Sequence, residues 1–219
     1  MDNGTGSLDH VVRPAKGNPE GILVLLHGRG ADEHDLYPLF DMLDPDRHLI
    51  GVCPRGPLTL PPGGAHWYVV QRVGYPDPDT FFPTLSRTRS WLESFVAEQG
   101  VTFERVVIGG FSQGAVMSYA LGLEKGTPRP AGLMPLSGFI PVVDGFEADL
   151  AKARNLSVAI GHGTFDPVIE VGFGRDAKRI LEEAGADLIY RESPMQHTID
   201  PSYIEELKGW LVKTIGVTR

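Results

Sequence analysis

A chain of 219 residues with one cysteine, Cys53, can form no internal disulfide, and at this length a single domain buries most of its apolar surface without one. Its 28 acidic against 20 basic residues leave a formal charge of -8, and no Lys/Arg cluster supplies the basic face that a nucleic-acid partner needs. Hydrophobic residues at 42% and charged residues at 22% match a folded domain, not a disordered one, and no apolar run approaches the ~20 residues of a membrane span, so no stable membrane insertion is expected.

The start, Met1 to Ser7, is polar and Gly-rich and lacks the apolar segment of a signal peptide, so residues 1–8 are expected to form a loose terminus and the location to be cytoplasmic. Short apolar runs then alternate with helical patterns, which predicts one α/β domain over residues 1–219 with a mostly parallel central sheet and helices on both faces. The first strong strand is Ile22–Leu26, ending in His27-Gly28-Arg29-Gly30. The next is Leu49–Val52, where Cys53 reads as a buried, inert thiol. From about 56 to 83 the chain is Pro- and Gly-rich, with Trp67, Tyr68, Tyr75, Phe81 and Phe82 interspersed. A loop of that length is expected to be ordered over a functional site, the alternative being a surface excursion held by its own aromatics. Thr84 is expected to cap a helix carrying Leu85, Trp91, Leu92, Phe95 and Val96, stopped by Gly100.

Further strands are predicted at Val106–Gly109, Leu133–Leu136, Val158–Ile160 and Leu188–Tyr190, their continuous apolar character implying burial on both faces. A helix after Ser112 places Val116, Met117, Ala120 and Leu121 on one face. Another runs from about Val171 to Ala184 with Phe173, Ala177, Ile180 and Leu181 inward. The last begins at Asp200-Pro201, a cap and a first-turn proline, with Tyr203, Ile204, Leu207, Trp210 and Leu211 at helical spacing.

Gly110-Phe111-Ser112-Gln113-Gly114 is a G-x-S-x-G segment between a strand and a helix. That context puts a serine on a sharp turn, with glycines leaving room for the strained backbone and a helix start favouring negative charge. A serine hydroxyl needs a base to take its proton, and the base needs an acid to hold its tautomer. In this architecture the order is serine, acid, histidine. Of seven histidines only His162 and His197 follow Ser112, and Asp166, just past a strand, is followed only by His197. The expected set is therefore Ser112, Asp166 and His197. Asp144 or Glu147 with His162 is the rival, but neither acid follows a convincing strand. Taken singly, Asp166 before Pro167 also reads as a turn residue and His197 as a surface histidine.

The oxyanion donors are expected to be the backbone N–H groups of Gln113 and Arg29, the latter on the glycine-rich turn after the first strong strand. The Arg29 side chain is then free either to meet an acidic group on a substrate or to point into water. His27 and His162 are read as structural, and with no ligand spacing among the histidines neither metal nor cofactor is expected. Trp67, Tyr68 and Phe139 are the expected substrate-pocket residues.

Together, Leu26-His27-Gly28-Arg29-Gly30, Pro54-Arg55-Gly56-Pro57, Gly110–Gly114, Leu136-Ser137-Gly138-Phe139-Ile140-Pro141, Gly161–Val168 and Met195-Gln196-His197 resemble the phospholipase/carboxylesterase family of small α/β-hydrolases, which includes bacterial carboxylesterases and acyl-protein thioesterases. The resemblance spans nearly the whole chain. It implies an α/β-hydrolase fold without a large cap, and cleavage of short- to medium-chain carboxylic esters through an acyl-enzyme. Thioesters and lysophospholipids lie within its range, and a homodimer is compatible with it. Two positions depart from the thioesterase branch, which usually has leucine at Arg29 and glycine at Gln196; both favour a carboxylesterase. Remaining alternatives are a peptidase or lactone hydrolase with the same three residues, and a binding module on a hydrolase scaffold.

Overall fold

The computed structural model describes residues 7–216. Residues 1–6 of the expected loose terminus lie outside the described residues. Leu8, which that expectation included, is instead buried in the core at 3% exposure.

Strands β1 (His10–Arg13), β2 (Gly21–Leu26) and β3 (Leu49–Pro54) open the fold. Two small hairpins follow, β4 (Leu58–Leu60) with β5 (Gly64–His66) and β6 (Val70–Arg72) with β7 (Tyr75–Pro76). The remaining strands are β8 (Val106–Phe111), β9 (Gly132–Leu136), β10 (Ser157–Gly163) and β11 (Asp187–Ser193). Seven of these form one sheet in the order β1-β3-β2-β8-β9-β10-β11. Every neighbouring pair is parallel except β1 with β3. β1, absent from the sequence prediction, is polar at both ends and adds itself antiparallel at one edge.

The helices are α1 (Leu39–Leu43), α2 (Pro78–Glu98), α3 (Gln113–Leu123), α4 (Val171–Glu183) and α5 (Ile204–Ile215). The period of two along β2 divides the core. Ile22, Val24 and Leu26 join residues of α2, α3 and α4 on one face, while Leu23 and Leu25 join Phe40, Leu43, Leu207 and Leu211 of α1 and α5 on the other. Inner strands are buried except at the ends Phe111 and Ser157, whereas β11, at the edge, is half-buried along most of its length.

Three expectations change. The stretch from 56 to 83 is not one loop: the two hairpins supply its backbone hydrogen bonds, and the first turns of α2 close it. That helix begins six residues before Thr84, because the Asp77 carboxylate accepts from Thr80 N–H at 3.1 Å and Pro78 occupies the first turn. Thr84 is a buried helical residue. Finally, α3 has no solvent face; all eleven of its residues are buried between the sheet and α2. Tertiary packing on both sides, not amphipathic pattern, keeps this helix apolar.

Candidate active site

Parallel strands bring their carboxyl ends to one rim, and that rim collects the candidate residues. β8 ends at Phe111, and Ser112 follows with φ 57°, ψ -119°, a conformation costly for any residue with a Cβ. Its N–H donates to Leu136 O at 2.9 Å, which ties the turn to the neighbouring strand. Asp166 follows β10 and His197 follows β11.

His197 Nδ1 lies 2.6 Å from Asp166 Oδ2, and its Nε2 lies 2.8 Å from Ser112 Oγ. An ionised carboxylate only accepts, so the proton of a neutral imidazole sits on Nδ1 and the Nε2 lone pair faces the hydroxyl. The other carboxylate oxygen, Oδ1, accepts from Val168 N–H at 2.8 Å and Ile169 N–H at 2.9 Å. Asp166 thus orders its own turn and orients His197 at once. The Phe111 ring packs on His197 with centroids 4.7 Å apart. Ser112 and Asp166 are buried, and the His197 side chain is 16% exposed. The arrangement can move a proton from a serine hydroxyl to an imidazole held by a carboxylate.

The Gln113 N–H, first of α3, is one of the donors that every helix start leaves without an intrahelical partner. Arg29 lies on the turn after β2, and a Cβ on its neighbour Gly28 would stand 3.5 Å from Ser112 Cβ, so this turn passes close to the serine. Gly30 N–H donates to Ala65 O at 2.8 Å, anchoring the turn to β5. Arg29, Ser112 and Gln113 line one cleft of about 310 Å³ together with Tyr68 and Phe139.

Trp67 does not line it. Expected at the pocket wall, it is fully buried, with Nε1–H donating to His27 O at 2.9 Å. The reason is the Gln113 side chain, whose Oε1 accepts from Trp67 N–H at 2.9 Å and whose Nε2 donates to Tyr68 O at 2.7 Å. This clamp draws residues 67 and 68 against the start of α3, turning the indole inward. Sequence reasoning missed that role for the Gln113 amide, as well as Val70, Arg72, Val73, Val168 and Ile169 along the cleft. Val168 and Ile169 carried a signal, their adjacency to Asp166; the β6–β7 residues carried none.

His27 and His162 hold loops, as their Gly-flanked strand-end positions suggested. His27 Nε2 accepts from Gly56 N–H at 2.9 Å, so its ring proton is on Nδ1, donating to Gly28 O at 2.7 Å. His162 Nε2 bonds Ile169 O at 2.8 Å. Asp144 and Glu147 are exposed and form no ion pair with it. Among the described residues no three His, Cys, Asp or Glu converge to hold a metal ion, and no helix is long and apolar enough to cross a membrane. Burial pushes the Cys53 thiol well above its ordinary range, so it is inert.

Burial also lowers the pKa of both His27 and His162 from the ordinary 6.5. Both rings stay neutral in the fold, whereas the unfolded chain takes up their protons below 6.5. Stability is therefore complete above that pH and is lost as pH falls toward the lowered folded values, by at most about 1.4 kcal/mol per pH unit per ring. His162→Gln is expected to flatten the decline of the urea midpoint between about pH 7 and pH 5. An unchanged profile would show that this ring does not contribute.

The fold defines the class: an open, mostly parallel sheet with a serine on a sharp strand-to-helix turn, as in α/β-hydrolases. Its match to the profile of the phospholipase/carboxylesterase family extends over residues 8–215, and the chain belongs to that family. It is 26% identical to acyl-protein thioesterase 1 of Cryptococcus neoformans over 95% of this chain and 98% of that protein. Among solved structures it is similar to the Bacillus cereus carboxylesterase, with a TM-score of 0.82 and 23% identity over 97% of this chain and 96% of that one. Esterase PE8 gives the same TM-score at 25% identity, covering 94% and 99% of the two chains.

Proposed function

We propose that the protein is a serine carboxylesterase that cleaves short- to medium-chain carboxylic esters through an acyl-enzyme on Ser112. One observation carries this reading: His197 bridges the Ser112 hydroxyl at 2.8 Å and the Asp166 carboxylate at 2.6 Å, which makes one unbroken relay. His197 Nε2 takes the hydroxyl proton as Oγ attacks the acyl carbonyl. The oxyanion that forms is held by the N–H groups of Gln113 and Arg29. The intermediate collapses with the His197 proton delivered to the departing alkoxide, leaving an acyl ester on Ser112 and a free alcohol. Water, deprotonated by His197, then releases the acid and restores the hydroxyl. Asp166 stabilises the imidazolium in each half-reaction.

Tyr68 and Phe139 would flank the bound ester. The cleft, about 310 Å³, is at the small end of ligand pockets, which favours small esters over protein-borne acyl chains. The relatives named acyl-protein thioesterase support thioesters as a second reading, since the same steps serve a thiolate leaving group. Cytoplasmic action accords with a chain whose single, buried cysteine can form no internal disulfide.

A fluorophosphonate probe is expected to label the wild-type protein at one residue and to leave Ser112→Ala unlabelled. A panel of 4-nitrophenyl esters set against lactones and peptides should show turnover of the esters. Failure of the wild type to label or to turn over any ester would remove the enzymatic reading and favour a binding module.

A further inference from the structure

The cleft beside Ser112 is charged in one sense only. Arg29 and Arg72 both line it, and among the described residues no aspartate or glutamate does. The two arginines come from segments 43 positions apart, the turn after β2 and the strand β6, and only the fold brings them to one opening. Among the described residues neither is engaged by a carboxylate, although the protein carries a net charge of -8. Several other arginines are paired with acids, Arg13 with Asp44, Arg55 with Glu33, Arg89 with Glu124 and Arg175 with Glu192, while Arg87, Arg105 and Arg129 donate to backbone carbonyls. The nearby Asp166 has both oxygens committed to His197 and its own turn.

Arg72 is also held in place. Its guanidinium carbon sits 3.7 Å from the centroid of the Tyr75 ring, across the β6–β7 hairpin. A guanidinium held over an aromatic ring can still donate from its N–H groups, which suits a carboxylate or phosphate. A second groove that includes His197 is lined by Asp35 and the apolar Leu36, Leu39 and Phe111, and among the described residues no lysine or arginine lines it.

We infer that the ester turned over here carries a second, anionic group, a carboxylate or a phosphate, seated between Arg29 and Arg72. This rests on the hydrolase reading and names its substrate class. The Arg29 backbone N–H serves the oxyanion, so its side chain is free for this separate task. The anion lies on whichever substituent, acyl or alcohol, occupies the arginine-lined cleft.

The test compares kcat/KM within matched pairs. In the acyl arm, 4-nitrophenyl hemiadipate is set against 4-nitrophenyl hexanoate; in the alcohol arm, 4-carboxyphenyl butyrate against 4-carbamoylphenyl butyrate. The anionic member should be favoured about tenfold in one arm, two exposed charge-assisted contacts contributing a few-fold each. High salt should shrink that ratio. Arg72→Gln should reduce it about threefold and Arg72→Glu should reverse it, the neutral ester serving as the internal reference. Turnover of neutral esters with no anionic preference in either arm would overturn this inference and leave the hydrolase reading standing. So would a preference that Arg72→Glu leaves intact. Absence of all ester turnover and of fluorophosphonate labelling would overturn both.

Discussion

Ser112→Ala is expected to lower kcat for a 4-nitrophenyl ester by about 10⁶-fold, with the fold intact. The substitution removes one oxygen from a side chain whose only hydrogen bond joins it to His197, so stability should change little. What disappears is the covalent route. The backbone N–H groups proposed to hold the oxyanion remain, as does the cleft, and they are expected to sustain a residual rate of ~10³–10⁴ over the uncatalysed reaction. His197→Ala should be nearly as damaging, and the double variant no worse than either single one, because the groups act as one unit. A Ser112→Ala enzyme within tenfold of wild type would remove Ser112 from the mechanism.

Gly114→Ala is expected to lower kcat by at least about 10²-fold and to destabilise the fold by about 1–3 kcal/mol. A Cβ at this position would lie 1.9 Å from Leu26 O and 2.7 Å from His27 O, both backbone atoms that cannot rotate away. Helix α3 would have to move off β2, carrying Ser112 and the Gln113 amide with it and disturbing the turn that presents Arg29. A displacement near 1 Å is enough for such a loss of rate. Gly209→Ala in α5 is the control, since a Cβ there meets nothing within 4 Å. It should leave kcat unchanged and raise stability by up to about 1 kcal/mol, the difference in helix propensity. Equal kinetics for the two variants would show that close approach of α3 to β2 does not position the site.

The order of residues along the chain made much of this legible. The six principal parallel strands appeared as apolar runs, the inner ones because strands covered on both faces need apolar residues at nearly every position, and β11, half-buried at the edge, through Leu188, Ile189 and Tyr190. Ser112 was visible from its flanking glycines, and Asp166 and His197 from their order relative to it. His27 and His162 could be read as loop holders from their Gly-flanked strand ends. The edge strand β1 and the hairpins β4–β5 and β6–β7 were not legible: two to four residues carry too little periodicity to register. The burial of all of α3 was hidden for another reason, since a helix packed on both sides has no polar face to reveal its period.

The cleft shows the division most sharply. Trp67 and Tyr68 are adjacent and both aromatic, yet one lies inward against His27 while the other lines the cleft, a choice made by hydrogen bonds from Gln113 about 45 positions away. Arg29 was conspicuous within its glycine turn, but its companion Arg72 had no local mark. The serine, carboxylate and imidazole that the fold joins by hydrogen bonds could thus be picked out from residue type and chain order alone. The wall of the cleft and the sign of its charge were decided only in three dimensions, because both arise between segments distant in the chain, and a one-dimensional pattern records no distances between them.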